Sequence, residues 1–223
     1  MNAQLIYVVR HGETDANVNK QVNDRNVITP LNSQGKAQAK KTGIYFRKEH
    51  CDNFKCIIYT SPSIRAVQTS EIIAKELKIN PKHIIQDDRL NELDHGLLSG
   101  STKYDKINIE YMKEFNKLPK DPIKLELSFE KFDKLIEKKF KVETIANIKK
   151  RILSFYKSLP KNKKNIIVVT HGGIVQGTLM TLFNIKSEIL GDLTNGKNCS
   201  INCIAKEKNK YALLTIPNTL HLR

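Results

Sequence analysis

The sequence predicts an α/β protein, a three-layer α/β/α sandwich with a mostly parallel central sheet and an inserted helical lid. Three observations predict it. Runs of residues at 5–9 (L-I-Y-V-V), Cys56–Thr60 (C-I-I-Y-T) and Asn165–Thr170 (N-I-I-V-V-T) are apolar on both faces, as strands buried between two helical layers must be. Between them lie longer stretches in which apolar residues recur at helical spacing. One such stretch, 101–142, is Lys/Glu-rich and interrupts the strand–helix alternation. No internal repeat and no long linker divides the chain, so residues 1–223 read as a single domain carrying an insertion at about 101–142.

The first strand stops on Arg10, His11 and Gly12. Ligands gather at the carboxyl ends of strands in open α/β sheets, so a cation beside an imidazole at this point, with Asn17 a little further on, suits an anion such as phosphate. Asn32 or Ser33 can cap a helix that runs to about Glu49. The strand Cys56–Thr60 leads directly into S-P-S-I-R. Here Ser61 is predicted as the N-cap and Pro62 as the first helical residue, which puts Arg65 in the first turn, where free N–H groups favour an anion. Ile84 and Ile85 suggest a short third strand, followed by a loop over 87–100.

In the insertion, Tyr111, Met112, Phe115, Phe129, Phe132, Leu135 and Ile136 fall at helical spacing, and Pro119 and Pro122 split the region in two. Such a stripe predicts amphipathic helices packed on the parent fold. Residues 143–159 form another helix, with Ile145, Ile148, Ile152 and Phe155 on one face. The strand Asn165–Thr170 ends on His171-Gly172-Gly173, and a helix follows to about Phe183. Strands near 199–205 and 211–215 are predicted as a hairpin turning at 206–210.

The formal charge of +15 raises the question of nucleic acid. The excess is lysine spread over loops and helix faces, there is no tryptophan, and no nucleic-acid motif is present. It reads as a solvated surface, and at most as a field that draws acidic substrates. No run is long enough to span a bilayer and the N-terminus lacks a signal-peptide pattern, so the expectation is a cytoplasmic protein with no membrane or nucleic-acid partner. Of the four cysteines, Cys51 and Cys56 flank a strand start, and Cys199 and Cys203 alternate with Ile201 and Ala205 as core-facing strand positions. Their spacing is loose for zinc, so buried free thiols are the expectation.

Two strands thus end on His-Gly, at His11-Gly12 and His171-Gly172, and a third is followed by S-P-x-x-R. Together with R-H-G-E-T at 10–14, Asn17, P-L-N-S-Q-G-K-A-Q-A at 30–39, S-P-S-I-R-A-V-Q-T at 61–69, L-N-E-L-D-H-G at 90–96, T-H-G-G at 170–173 and the tail P-N-T-L-H-L, the chain resembles the histidine phosphatase (phosphoglycerate mutase-like) superfamily. The resemblance covers nearly everything outside 101–142.

It implies that His11 is a nucleophile forming a phosphohistidine, and that Arg10, Arg65 and His171 surround the transferring phosphoryl group. Asn17 and the backbones of Gly12 and Gly172 would be further phosphate-binding groups, and no metal or cofactor would be needed. Independently, a neutral imidazole keeps a free lone pair for attack on phosphorus, and phosphoryl transfer depends mainly on positioning and charge stabilisation. Glu92 matches the general acid, in a loop that also carries Asp87, Asp88 and Asp94; Glu13, next to His11, is the runner-up.

The departures bear on substrate. Mutases of the family typically follow the acid with Arg-His-Tyr-Gly, whereas here the run is Leu93-Asp94-His95-Gly96, closer to phosphatase members. The mutases' paired arginines are missing from 101–142, although Lys103 falls where they carry a substrate lysine. Where the family often has Gly-Glu-Ser, this chain has Val142-Glu143-Thr144, leaving capping as the role expected of Glu143. The expectation is a metal-independent phosphomonoesterase acting on a small phosphorylated substrate. The alternatives are a 2,3-bisphosphoglycerate-dependent mutase, which would need the bisphosphate primer, or a non-catalytic phosphate-binding scaffold. Strand edges and the insertion are the surfaces on which a homodimer could form.

Overall fold

The computed structural model describes residues 3–49, 56–119, 121–160, 165–185 and 197–223. Its six strands, β1 (Gln4–Arg10), β2 (Cys56–Thr60), β3 (Ile85–Gln86), β4 (Asn165–Thr170), β5 (Ile201–Glu207) and β6 (Lys210–Asn218), form one sheet in the order β3-β2-β4-β1-β5-β6. The first four strands run parallel, while β5 and β6 are antiparallel additions beside β1.

Side chains alternate across a strand, and here both sets are buried. Ile6, Val8, Ile166, Val168 and Ile204 face one layer, formed by α6 (Ile145–Ser158) and α7 (Gly172–Phe183), and meet Ile148, Ile152, Phe155, Tyr156, Ile174 and Val175. Tyr7, Val9, Ile58, Ile167, Val169, Ile201 and Cys203 face the other layer. They meet Phe46 of α2 (Ser33–Glu49) and Ala66, Ile73 and Ala74 of α3 (Ile64–Glu76). This is the expected three-layer arrangement. At one point the layers nearly touch: a Cβ on Gly12 would strike the backbone of Gly35, and one on Gly35 would strike that of Glu13. Only glycine lets the start of α2 lie this close to the loop after β1.

Several boundaries differ from expectation. α3 begins at Ile64, with Ser63 at the N-cap. Ser61, just past the end of β2, instead bonds to β4, donating its N–H to Val169 O at 3.0 Å, and Pro62 lies outside the helix. The third strand is two residues long, Ile85–Gln86. α6 starts after Thr144, whose hydroxyl accepts from Asn147 N–H, and Glu143 lies before the cap. The hairpin turn is shorter than expected, because β5 extends through Glu207 and β6 starts at Lys210. Asn32 is the residue that caps α2, accepting from Gly35 N–H at 2.8 Å.

The insertion contains α4 (Lys106–Phe115) and α5 (Pro122–Phe140). Phe132, Ile136, Phe140 and Val142 close on Leu98 as a separate apolar cluster, flanked by Ile107, Tyr111 and Leu118. The stripe is only half used: Met112, Phe115 and Leu135 remain exposed. The side chain of Phe129 lies outside the described residues, as does Cys51. Cys56, Cys199 and Cys203 are free thiols, and burial pushes the first two up to about 12 and Cys203 to about 11. Among the described residues no helix is long and apolar enough to cross a membrane.

Candidate active site

The strand order brings three carboxyl ends side by side, because β4 lies between β1 and β2. His11 follows β1, His171 follows β4 and Ser61 follows β2. The His11 N–H donates to Thr170 O at 2.8 Å, which locks the ends of β1 and β4 in register. The two imidazoles meet edge to face, with ring centroids 5.2 Å apart, and both are buried.

The tautomer of His11 follows from one contact. Its Nδ1 lies 2.7 Å from Gly12 O. A carbonyl can only accept, so Nδ1 carries the proton and Nε2 the lone pair. Burial, and then the charges of Arg65 and Arg10, hold its pKa well below the ordinary imidazole value of 6.5, which keeps the ring neutral at pH 7. The same Gly12 does not offer its N–H to a ligand: that group donates to Thr69 Oγ1 at 3.0 Å. The expectation of a Gly12 backbone donor is therefore corrected. Thr69 sits on α3 one turn beyond Arg65, whose carbonyl accepts its hydroxyl proton at 2.7 Å.

Arg65 is fully buried. Its Nη1 and Nη2 groups are held by three carbonyls of one loop, Val27 O at 3.2 Å, Asn23 O at 3.0 Å and Asp24 O at 2.9 Å, and its Nε has no partner among the described residues. Burial lowers its pKa to about 10 against the opposing charges of Glu92 and Asp24, so it is still a cation at neutral pH. The loop that grips it is folded around the Asp24 carboxylate, which accepts from Asn26 N–H, His95 N–H and Ser99 Oγ at 2.8–3.1 Å. The Arg10 side chain passes over Gly172, and Glu92 supports its charge against burial. Asn17 commits its Oδ1 to Thr14 N–H and Asn198 Nδ2, which leaves Nδ2 as the donor it can present.

Glu92 is buried and anchored by two backbone donors, Leu93 N–H to Oε1 at 3.0 Å and Gly173 N–H to Oε2 at 3.3 Å. The second bond ties it to the first turn of α7, directly after His171. The other acidic candidates stand elsewhere. Asp94 accepts from Asn26 Nδ2 and Gly96 N–H, Asp87 is paired with Arg89, and Glu13 accepts from Asn32. Lys103 is exposed, with its ammonium over the Tyr104 ring.

Three further residues, none assigned a site role from the sequence, shape this centre. Ser61 Oγ stands 2.8 Å from His171 Nε2, although S-P-S-I-R reads locally as a helix start. Glu143 is more than a helix-end charge: it takes Arg151 through both oxygens, at 2.7 and 2.9 Å, and Arg25 at 2.6 Å. Arg151 in turn donates to Arg89 O and Asn91 O, both at 2.7 Å, gripping the loop that presents Glu92.

The arrangement is a buried, neutral imidazole with a free Nε2, two guanidiniums, a second imidazole and one carboxylate. Among the described residues no three His, Cys, Asp or Glu side chains stand close enough to hold a metal ion. A family model described as "Histidine phosphatase superfamily (branch 1)" matches residues 6–219. The chain is 25% identical to phosphoserine phosphatase 1 of Hydrogenobacter thermophilus, over 97% of this chain and 93% of the relative. It is also 25% identical to a 2,3-bisphosphoglycerate-dependent phosphoglycerate mutase of Pelagibacter ubique, over 92% of both. The crystal structure of a phosphoglycerate mutase from Bacillus anthracis superposes with a TM-score of 0.77 at 21% identity, covering 99% of this chain and 96% of that one. With its strand-end histidines side by side and nearly its full length matched, this chain belongs to the histidine phosphatase superfamily and is an enzyme of phosphatase type.

Proposed function

We propose that the protein is a metal-independent phosphomonoesterase working through a phosphohistidine on His11, with no cofactor and a small phosphorylated substrate. The observation that carries the reading is the Gly12 carbonyl on His11 Nδ1, which leaves Nε2 as the nucleophilic atom of a ring kept neutral by its surroundings. The phosphoryl group lies among Arg10, Arg65, His171 and Asn17, where fixed positive charge meets the developing charge of the transition state. The Arg10 side chain runs beside Gly172 at the start of α7.

Nε2 attacks phosphorus, the P–N bond forms as the P–O bond breaks, and Glu92 gives its proton to the leaving oxygen. A water then attacks the phosphohistidine and passes a proton to Glu92. The P–N electron pair returns to His11, and inorganic phosphate leaves. The attachment of Asp94, Asp87 and Glu13 to other partners supports Glu92 in this role.

The run Leu93-Asp94-His95 supports hydrolysis over mutase chemistry, because it contributes no arginine of its own to hold a phosphorylated product. Asp94 is turned to Asn26 and Gly96. The similarity to a mutase and the presence of Lys103 favour the second reading, a bisphosphoglycerate-dependent mutase.

The test is phosphate release from a panel of phosphomonoesters in EDTA, phosphoserine included, beside a 3-phosphoglycerate isomerisation assay with bisphosphate primer. The expected result is release that survives EDTA and is abolished by His11→Ala. Full activity in that variant overturns the phosphohistidine, loss of activity in EDTA overturns metal independence, and isomerisation without net release makes the protein a mutase. No turnover of either kind points to a non-catalytic phosphate-binding protein.

A further inference from the structure

The two ring nitrogens of His171 have different surroundings. Nε2 lies 2.8 Å from Ser61 Oγ, while Nδ1 is buried with no partner among the described residues. Ser61 is itself fully buried, and its one hydroxyl proton has two candidate acceptors, His171 Nε2 and Asn91 Oδ1 at 3.0 Å.

Asn91 decides between them. Its Nδ2 donates to Asp88 Oδ1 at 3.4 Å, and its Oδ1 also faces Ser63 Oγ at 3.3 Å. The atom toward Ser61 is therefore an amide oxygen, which has no proton to give. The Ser61–Asn91 contact is a hydrogen bond only if Ser61 donates it; otherwise two oxygens stand in repulsive contact. The Ser61 oxygen is then an acceptor for the Nε2 proton of His171.

We propose that Ser61 is a positioning residue for His171. By donating to Asn91 it takes the Nε2–H of the neutral ring, so that a bare Nδ1 lone pair is what His171 offers the phosphoryl pocket, and the ring binds an anion there only after taking up a proton. This rests on the reading of the pocket given under Proposed function.

The charged groups around the ring fit such a device. Arg10 at the end of β1, His11 after it, Arg65 on α3 and Arg151 on α6 all oppose a proton on the empty ring, as does burial. Glu92 is bound one residue past Gly172, at Gly173 N–H. An arriving dianion reverses the local field and makes the imidazolium the favoured form, which then donates from both nitrogens.

The probe is dilute tungstate, a tetrahedral dianion whose own charge is constant between about pH 6 and 8, inside the range in which histidine titrates. Ring 15N chemical shifts, with His171 assigned by comparison with His171→Gln, are expected to show Nε2–H and bare Nδ1 in the free protein, and protonation of Nδ1 with tungstate. Tungstate affinity of the wild type is expected to fall about tenfold per pH unit for the proton taken up by His171.

In Ser61→Ala the neutral ring can carry its proton on Nδ1 and donate without uptake, so the slope is expected to lose about one proton. Asn91→Ala, which lets Ser61 reverse its hydroxyl, gives the same flattening by a second route. An Nδ1–H ring in the free wild type, or an unchanged slope in both folded variants, overturns the role of Ser61 and leaves the pocket standing. Wild type that binds no tungstate overturns the pocket, and this inference with it.

Discussion

At the residue scale the acid–base assignment turns on Glu92, a buried carboxylate with one oxygen on Leu93 N–H and the other on Gly173 N–H. Both bonds survive replacement of one oxygen only in part, but the shape and the surrounding guanidiniums remain. In Glu92→Gln, kcat is expected to fall by about 10²–10⁴-fold, the usual worth of a positioned general acid, with tungstate affinity within a few-fold of wild type. Steady-state kinetics beside tungstate titration check this; equal losses in both recast Glu92 as a structural group. His11 and His171 were legible because they stand next to strand ends, where an apolar run is followed by R-H-G or H-G-G; Glu92, in a loop with three other carboxylates, was singled out only by the family resemblance. Ser61 and Thr69 were not legible. Their roles depend on partners on other strands and loops, Asn91 and His171 for one and Gly12 for the other, and a serine before proline is also a good local helix start.

At the scale of elements, the loop from Asp87 to His95 is held from both sides. Thr170 Oγ1 donates to Leu90 O at 2.8 Å from β4, and Arg151 reaches over from α6 to Arg89 O and Asn91 O. The carboxylate of Glu143 holds Arg151 in place, and both side chains are largely buried. Arg151→Ala leaves Glu143 with Arg25 and strips two carbonyls of their donor. The expected cost is about 3 kcal/mol of stability, the order for breaking a buried pair from one side, together with a drop in kcat as the loop carrying Glu92 loosens. Urea unfolding and kinetics on the same variant check both; a stable variant with normal kcat would show the clamp to be idle. The helices and long strands could be read from periodicity, since burial on both faces writes an uninterrupted apolar run. Element ends could not. α3 starts late because Ser61 is still bonded to β4, a constraint that no local propensity records.

At the scale of the molecule, the site imposes a pH dependence on the fold. His11 and His171 are held well below 6.5 by burial and nearby cations, and burial takes His221, docked on Thr42, to about 4. Above 6.5 these rings are neutral in folded and unfolded chains alike and contribute no slope. Below it the unfolded chain binds protons that the folded one refuses, so stability falls with falling pH, by up to about 1.4 kcal/mol per pH unit for each buried ring. Urea midpoints measured at about pH 7 and about pH 5.5 are expected to drop accordingly; a flat profile would mean the rings charge within the fold. On the insertion some lysines are balanced locally, Lys139 by Glu110 and Glu114, Lys117 by Glu114 and Lys134 by Glu130. These are exposed pairs of small energetic worth, and they moderate the local field.

The sheet order has a kinetic consequence. β1 is synthesised before the other strands, yet its two neighbours in the sheet begin at Asn165 and Ile201. Until β4 leaves the ribosome, a strand apolar on both faces and open on both edges has no native place to go. Pairings of such long sequence separation close slowly, and unpaired apolar strands are the segments on which nascent chains aggregate. His11, the nucleophile proposed above, directly follows that strand, so its site forms only once β4 has been made, and a chain cut short before β4 would present His11 with nothing opposite it.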